Sequence, residues 1–328
     1  MCQFHPHHIF NRTSHTSIVF DAIRDAASAI ESMRIRGAGK IARAAASAMK
    51  DFSMNYPGRT LDDFKRDAGM AKDMLMASRP TAVSLYNGIQ SCVKDIGKVD
   101  TLEEARDSVS CNADTFVGAS LKAVEVIAEI GAKRIEDGDI IMTHCNSSAA
   151  LAVIKKAHGQ GKDIKVFATE SRPWRQGLLT VNDLAKEGID VTLIIDSAVR
   201  MVMNKVDAVF VGADTITSHG VLVNKVGTSQ LALAADEARV AFSVCSETYK
   251  FSPFTLAGDM VKIEERDHNE VARPEEIDPG VKIFNPVFDV TPPKYIDAYI
   301  TEVGLLSPGS IYDVMIRQFG NDITGGMR

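Results

Sequence analysis

Downstream of Gly138, short apolar runs alternate with stretches of helical spacing, and few architectures accept such an alternation. The runs Ile140–Thr143, Lys165–Ala168, Val191–Ile195, Ala208–Val211 and Val240–Val244 have the length and continuity of strands buried on both faces, with Ile283–Phe284 as a further short candidate. Between them Ala149–His158, Val181–Glu187, Val199–Asn204 and Thr228–Glu237 carry helical periodicity, and Gly159–Gly161, Gly188 and Gly220 mark turns. Strands separated by helices run parallel and cross over with one hand, which predicts an α/β fold with a Rossmann-like, doubly wound parallel sheet. The charged stretch Lys262–Gly280 reads as a surface loop, and the Pro-rich Asn285–Pro293 leads into an amphipathic segment, Tyr295–Leu306.

Upstream of Gly138 the texture is helical, with Ala-rich Ala42–Met49, amphipathic Leu61–Met76 and Thr101–Val109, and punctuation at Pro57 and Pro80. Leu121, Val124, Ile127, Ala128 and Ile130 mark a long helix that delivers the chain to the sheet. The expected organisation is a flexible leader over residues 1–16, a helical N-terminal domain over 17–135 and a Rossmann-like catalytic domain over 136–328. His5, His7 and His8 fall in the leader, where no ordered scaffold fixes a geometry for metal, so no metal site is expected.

The net charge of -6 and the lack of a basic block exclude nucleic acid as a default partner. No stretch is apolar over a bilayer's width, and the five cysteines are odd in number and form no CxxC pair. These features predict a soluble protein of the reducing cytoplasm, without a membrane partner.

Cys145 lies at the turn between the first expected strand and its helix. Asn146, Ser147 and Ser148 are good N-cap residues, and a thiol facing the first-turn amides of a helix leans toward thiolate. A buried, inert cysteine is the competing reading. The other strand ends argue against it, because each is followed by polar or small residues: Glu170–Gly177, Asp196–Ala198, Gly212–Thr215 and Ser246–Lys250. Taken singly, Asp196 or Asp214 is equally a helix cap, Arg172 a partner for Glu170, and Lys250 a solvated loop lysine. Asp214 is carried straight out of the apolar run Ala208–Val211, where loss of water favours a protonated acid able to donate. Asn224 and Lys225 place an amide and an ammonium near a helix start, where an anion binds. In the helical part, Gly37 and Gly39 free the backbone between the charges of Arg36 and Lys40, which suits a phosphate, although a tight helix-packing turn has the same pattern. Arg79 is a second candidate cation, with the same alternative.

The motifs Arg36-Gly-Ala-Gly39, His144-Cys-Asn-Ser147, Glu170-Ser-Arg-Pro173 with Gln176-Gly177, Gly212-Ala-Asp214, Asn224-Lys-Val-Gly-Thr-Ser-Gln230 and Glu247-Thr-Tyr-Lys-Phe251 resemble, in order and spacing, those of the ribose 1,5-bisphosphate isomerase family. The likeness runs from about Ser17 to the C-terminus. That family shares a superfamily with methylthioribose-1-phosphate isomerase and the α, β and δ regulatory subunits of initiation factor 2B. The resemblance implies catalysis by Cys145 and Asp214. It also implies phosphate and sugar contacts at Arg36, Gly37, Ala38, Gly39, Arg79, Ser147, Ser148, Asn224, Lys225 and Lys250. The substrate it implies is a phosphorylated pentose, turned over without metal or organic cofactor in nucleotide salvage by a homo-oligomer, a hexamer. A methylthioribose-1-phosphate isomerase and a non-catalytic regulatory subunit are the alternatives. The Cys and Asp pair favours an enzyme over the second.

Overall fold

Side chains alternate across a strand, so a strand apolar on both faces serves two cores at once. In the computed structural model, which describes residues 13–252, 255 and 263–319, with side chains from Phe20 to Gln318, this is how the sheet is built. Strand β1 (Ile140–Thr143) sends Ile141 into one core and Met142 into the other. Strand β4 (Ala208–Val211) sends Ala208 and Phe210 one way, Val209 and Val211 the other. Ile127 and Ala132 of a long helix close the first core together with Leu151, Val153 and Ile154 of the helix Ser148–Gly159. The second core is closed by Leu231 and Ala235 of the helix Thr228–Ala238 and by Ile311 and Met315 of the helix Ile311–Phe319.

Five further strands join β1 and β4: β2 (Lys165–Thr169), β3 (Asp190–Ile194), β7 (Ala241–Cys245), β10 (Ala298–Thr301) and β11 (Gly304–Leu306). The order across the sheet is β11-β10-β7-β4-β1-β2-β3, parallel throughout except for β11, which runs antiparallel to β10. From β1 the chain moves outward to β2 and β3, then crosses back to lay β4 on the other side of β1. The order reverses there, and in open α/β sheets ligands bind outside the carboxyl ends of the two strands flanking such a reversal. The expected doubly wound sheet is therefore present.

A second, four-stranded sheet was not anticipated. It runs β8-β5-β6-β9, with β5 (Thr215–Thr217), β6 (Leu222–Lys225), β8 (Phe251–Ser252) and β9 (Phe288–Thr291). Ile283–Phe284 forms no strand, and Phe284 is exposed. The sixth parallel strand is instead β10, which lies in the segment read as amphipathic and is buried along its whole length. The stretch 263–280 holds short helical turns and one isolated bridge, Glu265 to Pro286, as a surface loop can. His5, His7, His8 and Lys262 lie outside the described residues.

The helices, in chain order, are α1 (Thr13–Glu31), α2 (Ala38–Met54), α3 (Leu61–Ser78), α4 (Val83–Val93), α5 (Leu102–Ala132), α6 (Ser148–Gly159), α7 (Gly177–Lys186), α8 (Val199–Val202), α9 (Thr228–Ala238) and α10 (Ile311–Phe319). Two units divide the chain. One contains the described residues up to Arg36 with Lys40–Pro80 and Leu85–Gly118, and the other Gly37–Gly39, Thr81–Ser84 and the chain from Ala119 onward. Within the helical unit Phe20, Phe52, Tyr56 and Phe64 stack at centroid distances of 4.9 to 5.8 Å, and Thr60 caps α3 through the Asp63 N–H. No described helix is long and apolar enough to cross a membrane.

Candidate active site

Between Thr143 at the end of β1 and Ser148 at the start of α6 the chain must turn sharply. Cys145 makes the turn at φ +66°, the left-handed region that a residue bearing a Cβ enters only at a cost. Two hydroxyls hold it. The Cys145 N–H donates to Ser171 Oγ at 2.8 Å, and its carbonyl accepts from Thr180 Oγ1 at 2.6 Å. Asn146 Nδ2 donates to the same Thr180 oxygen at 3.0 Å. Ser147 is the N-cap of α6, its Oγ accepting the Ala150 N–H at 3.3 Å, and Ser148 is exposed at the helix's first position. Thr180 reaches Cys145 because α7 starts hard against the end of β2, where a Cβ on Gly177 would sit 1.8 Å from the Thr169 carbonyl oxygen. Ser171 is fixed in turn by Asp196, whose two oxygens accept the N–H groups of Ser171 and Arg172, each at 2.8 Å. Asp196 thus shapes a loop rather than capping its own helix.

His144 precedes the cysteine and is buried. Its Nε2 lies 2.9 Å from the Val226 carbonyl, which can only accept, so Nε2 carries the proton and Nδ1 accepts from Thr169 Oγ1 at 2.5 Å. Burial lowers the imidazole's pKa against the pull of Asp196 and keeps it neutral. The ring packs on Gly227, where a Cβ would lie 2.9 Å from Cε1, so β1 and the turn after β6 are tied together.

Asn224 and Lys225, the last two residues of β6 before that turn, are both buried. Asn224 Nδ2 donates to Thr228 Oγ1 at 3.0 Å, and Lys225 Nζ lies 5.3 Å from the centre of the Phe288 ring. The helix start beside them is not open to an anion as expected. Asp289 of β9 already occupies it, accepting the Gly227 N–H at 2.7 Å and the Ser229 N–H at 3.0 Å.

Asp214 leaves the end of β4, on the other side of the switch point from Cys145. It is half-buried, so the expected loss of water is partial, and its N–H donates to the Val223 carbonyl at 3.1 Å. It lies within electrostatic reach of both Cys145 and Lys250. Gly212 lets the loop approach α6, since a Cβ there would come within 2.3 Å of Ser147 Oγ. Lys250 is not a solvated loop lysine. It is buried and paired with the fully buried Glu247 at 2.7 Å, while Tyr249 donates to the other Glu247 oxygen at 2.9 Å and accepts from Ser120 at 3.0 Å. Burial would raise the Glu247 pKa, but the Lys250 ammonium outweighs it and holds the carboxyl below its usual range. Glu302, from the β10–β11 hairpin, anchors this loop by accepting the Thr248 N–H at 3.1 Å and the Thr248 hydroxyl.

The expectation of a thiolate at Cys145 is overturned. Burial pushes the thiol up to about 11, and Asp214 and Asp196 add to it. The Lys225 ammonium and the Asn146 amide pull the other way but do not prevail. The cause is desolvation, which here exceeds the favourable end of α6.

Of the remaining candidates, Gly37 (φ +90°), Ala38 and the buried Gly39 belong to the unit that holds the sheet, where Ser84 Oγ donates to the Ala38 carbonyl at 3.0 Å. Arg36, Lys40 and Arg79 belong to the helical unit, with Arg36 half-buried and Lys40 exposed. Thr180 and Asp289 were missed in the sequence because neither follows a run read as a strand, and Glu302 because β10, which it directly follows, was read as part of an amphipathic segment. Gln176, the residue before α7, is buried with its Oε1 unpartnered, an acceptor available to a hydroxyl. Among the described residues no group of three His, Cys, Asp or Glu side chains is placed to hold a metal.

The chain as a whole is similar to known proteins. A ribose 1,5-bisphosphate isomerase of Methanocaldococcus jannaschii is 50% identical over 300 residues, covering 92% of this chain and 96% of its own length. A methylthioribose-1-phosphate isomerase of Thermosipho africanus is 37% identical over 305 residues, covering 87% of this chain and 86% of its own. The crystal structure of a translation initiation factor eIF-2B from Pyrococcus horikoshii OT3 superposes with a TM-score of 0.77 at 33% identity, over 88% of this chain and 98% of that one. The initiation factor 2 subunit family matches residues 34–308, and the chain belongs to that family.

Proposed function

We propose that the protein is an aldose–ketose isomerase that converts α-D-ribose 1,5-bisphosphate to D-ribulose 1,5-bisphosphate. The observation that carries this reading is the placement of Cys145 and Asp214 after adjacent strands, β1 and β4, on either side of the switch point. The names of relatives such as the Methanocaldococcus protein support the substrate.

Phosphate on C1 blocks ring opening through a free hemiacetal, so the bond from C1 to the ring oxygen must break with the phosphate in place. Asp214 donates a proton to the ring oxygen as that bond breaks, and Cys145 removes the proton from C2 to leave an enol phosphate. The proton on Cys145 then returns to C1, and the C2 hydroxyl proton passes to the Asp214 carboxylate, which restores both groups and leaves a C2 ketone. The chemistry needs a thiolate and a carboxylic acid together. Transfer of one proton from the Cys145 thiol to the Asp214 carboxylate supplies both without changing the charge of the site. Lys225 favours this transfer as the largest influence that lowers the thiol's pKa.

Lys225, Lys250, Asn224, Ser147 and Ser148 are proposed to hold phosphate and sugar, with Arg36, Gly37, Ala38, Gly39 and Arg79 as further phosphate contacts carried by the resemblance. Homo-oligomeric assembly, a cytoplasmic location and a place in nucleotide salvage belong to the same proposal. The test is appearance of ribulose 1,5-bisphosphate when the purified protein meets ribose 1,5-bisphosphate. Cys145→Ser and Asp214→Asn should each keep the fold and lower kcat by roughly 10²- to 10⁴-fold, the usual contribution of a positioned acid or base. A fully active Cys145→Ser variant overturns the mechanism.

A further inference from the structure

Two hydroxyls hold the backbone of Cys145, Ser171 just after β2 and Thr180 in α7, and neither takes part in the proton transfers above. Ser171, which accepts the Cys145 N–H, is itself left-handed at φ +59° and is fixed by Asp196 at 2.8 Å. Thr180, in the first turn of α7, spends its one hydroxyl proton on the Cys145 carbonyl and a lone pair on Asn146 Nδ2. Both hydroxyl residues are fully buried, so no water substitutes for either bond. A cysteine free of these partners would relax toward ordinary φ and swing its Cβ, and with it the sulfur, to a new direction.

We propose that Ser171 and Thr180 are positioning residues, which clamp the N–H and the carbonyl of Cys145 so that its thiol keeps its reactive direction, with Asp196 setting Ser171. The kinetic part of this proposal rests on the isomerase reading, whereas the clamp itself can be measured without turnover.

Thr180→Val preserves shape and deletes the donor, while Thr180→Ser keeps it. For Thr180→Val we expect kcat lower by roughly 10- to 100-fold, as for misplacement of a reacting group, with KM within about twofold. Thr180→Ser should restore kcat to within about threefold of the wild type. Iodoacetamide labelling of Cys145 at fixed pH should be severalfold faster in Thr180→Val, because the released turn opens a half-buried thiol, and unchanged in Thr180→Ser. Ser171→Ala, which removes the acceptor, should shift both readouts in the same direction as Thr180→Val. Wild-type kcat and labelling in Thr180→Val and Ser171→Ala overturn the clamp. So does a loss of kcat that Thr180→Ser fails to restore, which would mark a merely structural role. If the wild-type protein makes no ribulose 1,5-bisphosphate, the isomerase reading fails, and the labelling rates still decide the clamp.

Discussion

At Cys145 two influences oppose one another, and burial wins. The first-turn amides of α6 and the Lys225 ammonium favour thiolate, yet the thiol is held up at about 11. Alkylation requires thiolate, so the labelling rate of Cys145 should rise about tenfold per pH unit from pH 7 to 9, without a plateau. Bound bisphosphate should protect it. A plateau near neutrality, followed by mass mapping of the labelled cysteine, would show that the helix end prevails after all. Turnover should behave differently. In the proposed mechanism the reactive form is reached by moving one proton from Cys145 to Asp214 within the site, a transfer that exchanges no proton with solvent, so kcat/KM should stay nearly flat where labelling climbs. Lys250 presents the complementary case, a buried cation whose charge is already answered. Glu247→Gln leaves the ammonium buried beside a neutral amide, and removing one partner of a buried pair costs about 3 to 5 kcal/mol. A clear drop in Tm is expected, and an unchanged Tm would mean that Lys250 finds water instead.

Among the elements, α9 shows how a helix end that looks like an anion site is filled by the protein itself. Asp289 caps it, and burial, only partly offset by the amides of Ser229 and Gly227, raises this carboxyl from 3.8 to about 6. A folded-state pKa above the unfolded one gives a contribution that is complete below about pH 4 and lost as pH rises through about 6, worth about 3 kcal/mol. The wild-type protein should therefore lose stability relative to Asp289→Asn across that window, as Tm measured for both at pH 4 and pH 7 would reveal. A constant difference would mean that Asp289 stays ionised throughout. The contrast between α9 and α6 also shows what was legible in the sequence. The main sheet could be read because β1 and β4 are nearly continuous apolar runs and β2, β3 and β7 largely apolar ones, separated by helical spacing, and the candidates Cys145 and Asp214 because a reactive side chain within a few residues of the end of such a run emerges at the carboxyl edge of the sheet. The small sheet could not, since its strands have two to four residues and β6 pairs with β9 far along the chain, too short and too distant for periodicity to register. Asp289 and Thr180 were hidden for the same reason. Each acts across a long sequence separation on a turn whose own residues announce nothing of the partner.

For the molecule as a whole, the question is which sugar it selects, and the proposed pair Cys145 and Asp214 does not decide it, because the proposed proton transfers would serve either sugar. Charge decides it. Lys225 is a buried ammonium that has an aromatic ring, and no ion-pair partner among the described residues, beside it. A buried cation in that state costs free energy until an anion arrives. A substrate with phosphate at C5 as well as C1 brings a second anion for the proposed cation Lys225, whereas a methylthio group at C5 brings none and leaves that charge desolvated. We expect kcat/KM for ribose 1,5-bisphosphate to exceed that for methylthioribose 1-phosphate by several orders of magnitude, since sites built for a polar group reject analogues lacking it by roughly 10⁴- to 10⁵-fold. Lys225→Met should narrow that ratio from one side, weakening use of the bisphosphate by about 2 to 4 kcal/mol of transition-state stabilisation while changing use of the other sugar less. Competition between the two sugars in one assay measures the ratio directly. Preference for methylthioribose 1-phosphate would assign the protein to that isomerase instead, and no turnover of either sugar would favour the non-catalytic role of a translation factor subunit.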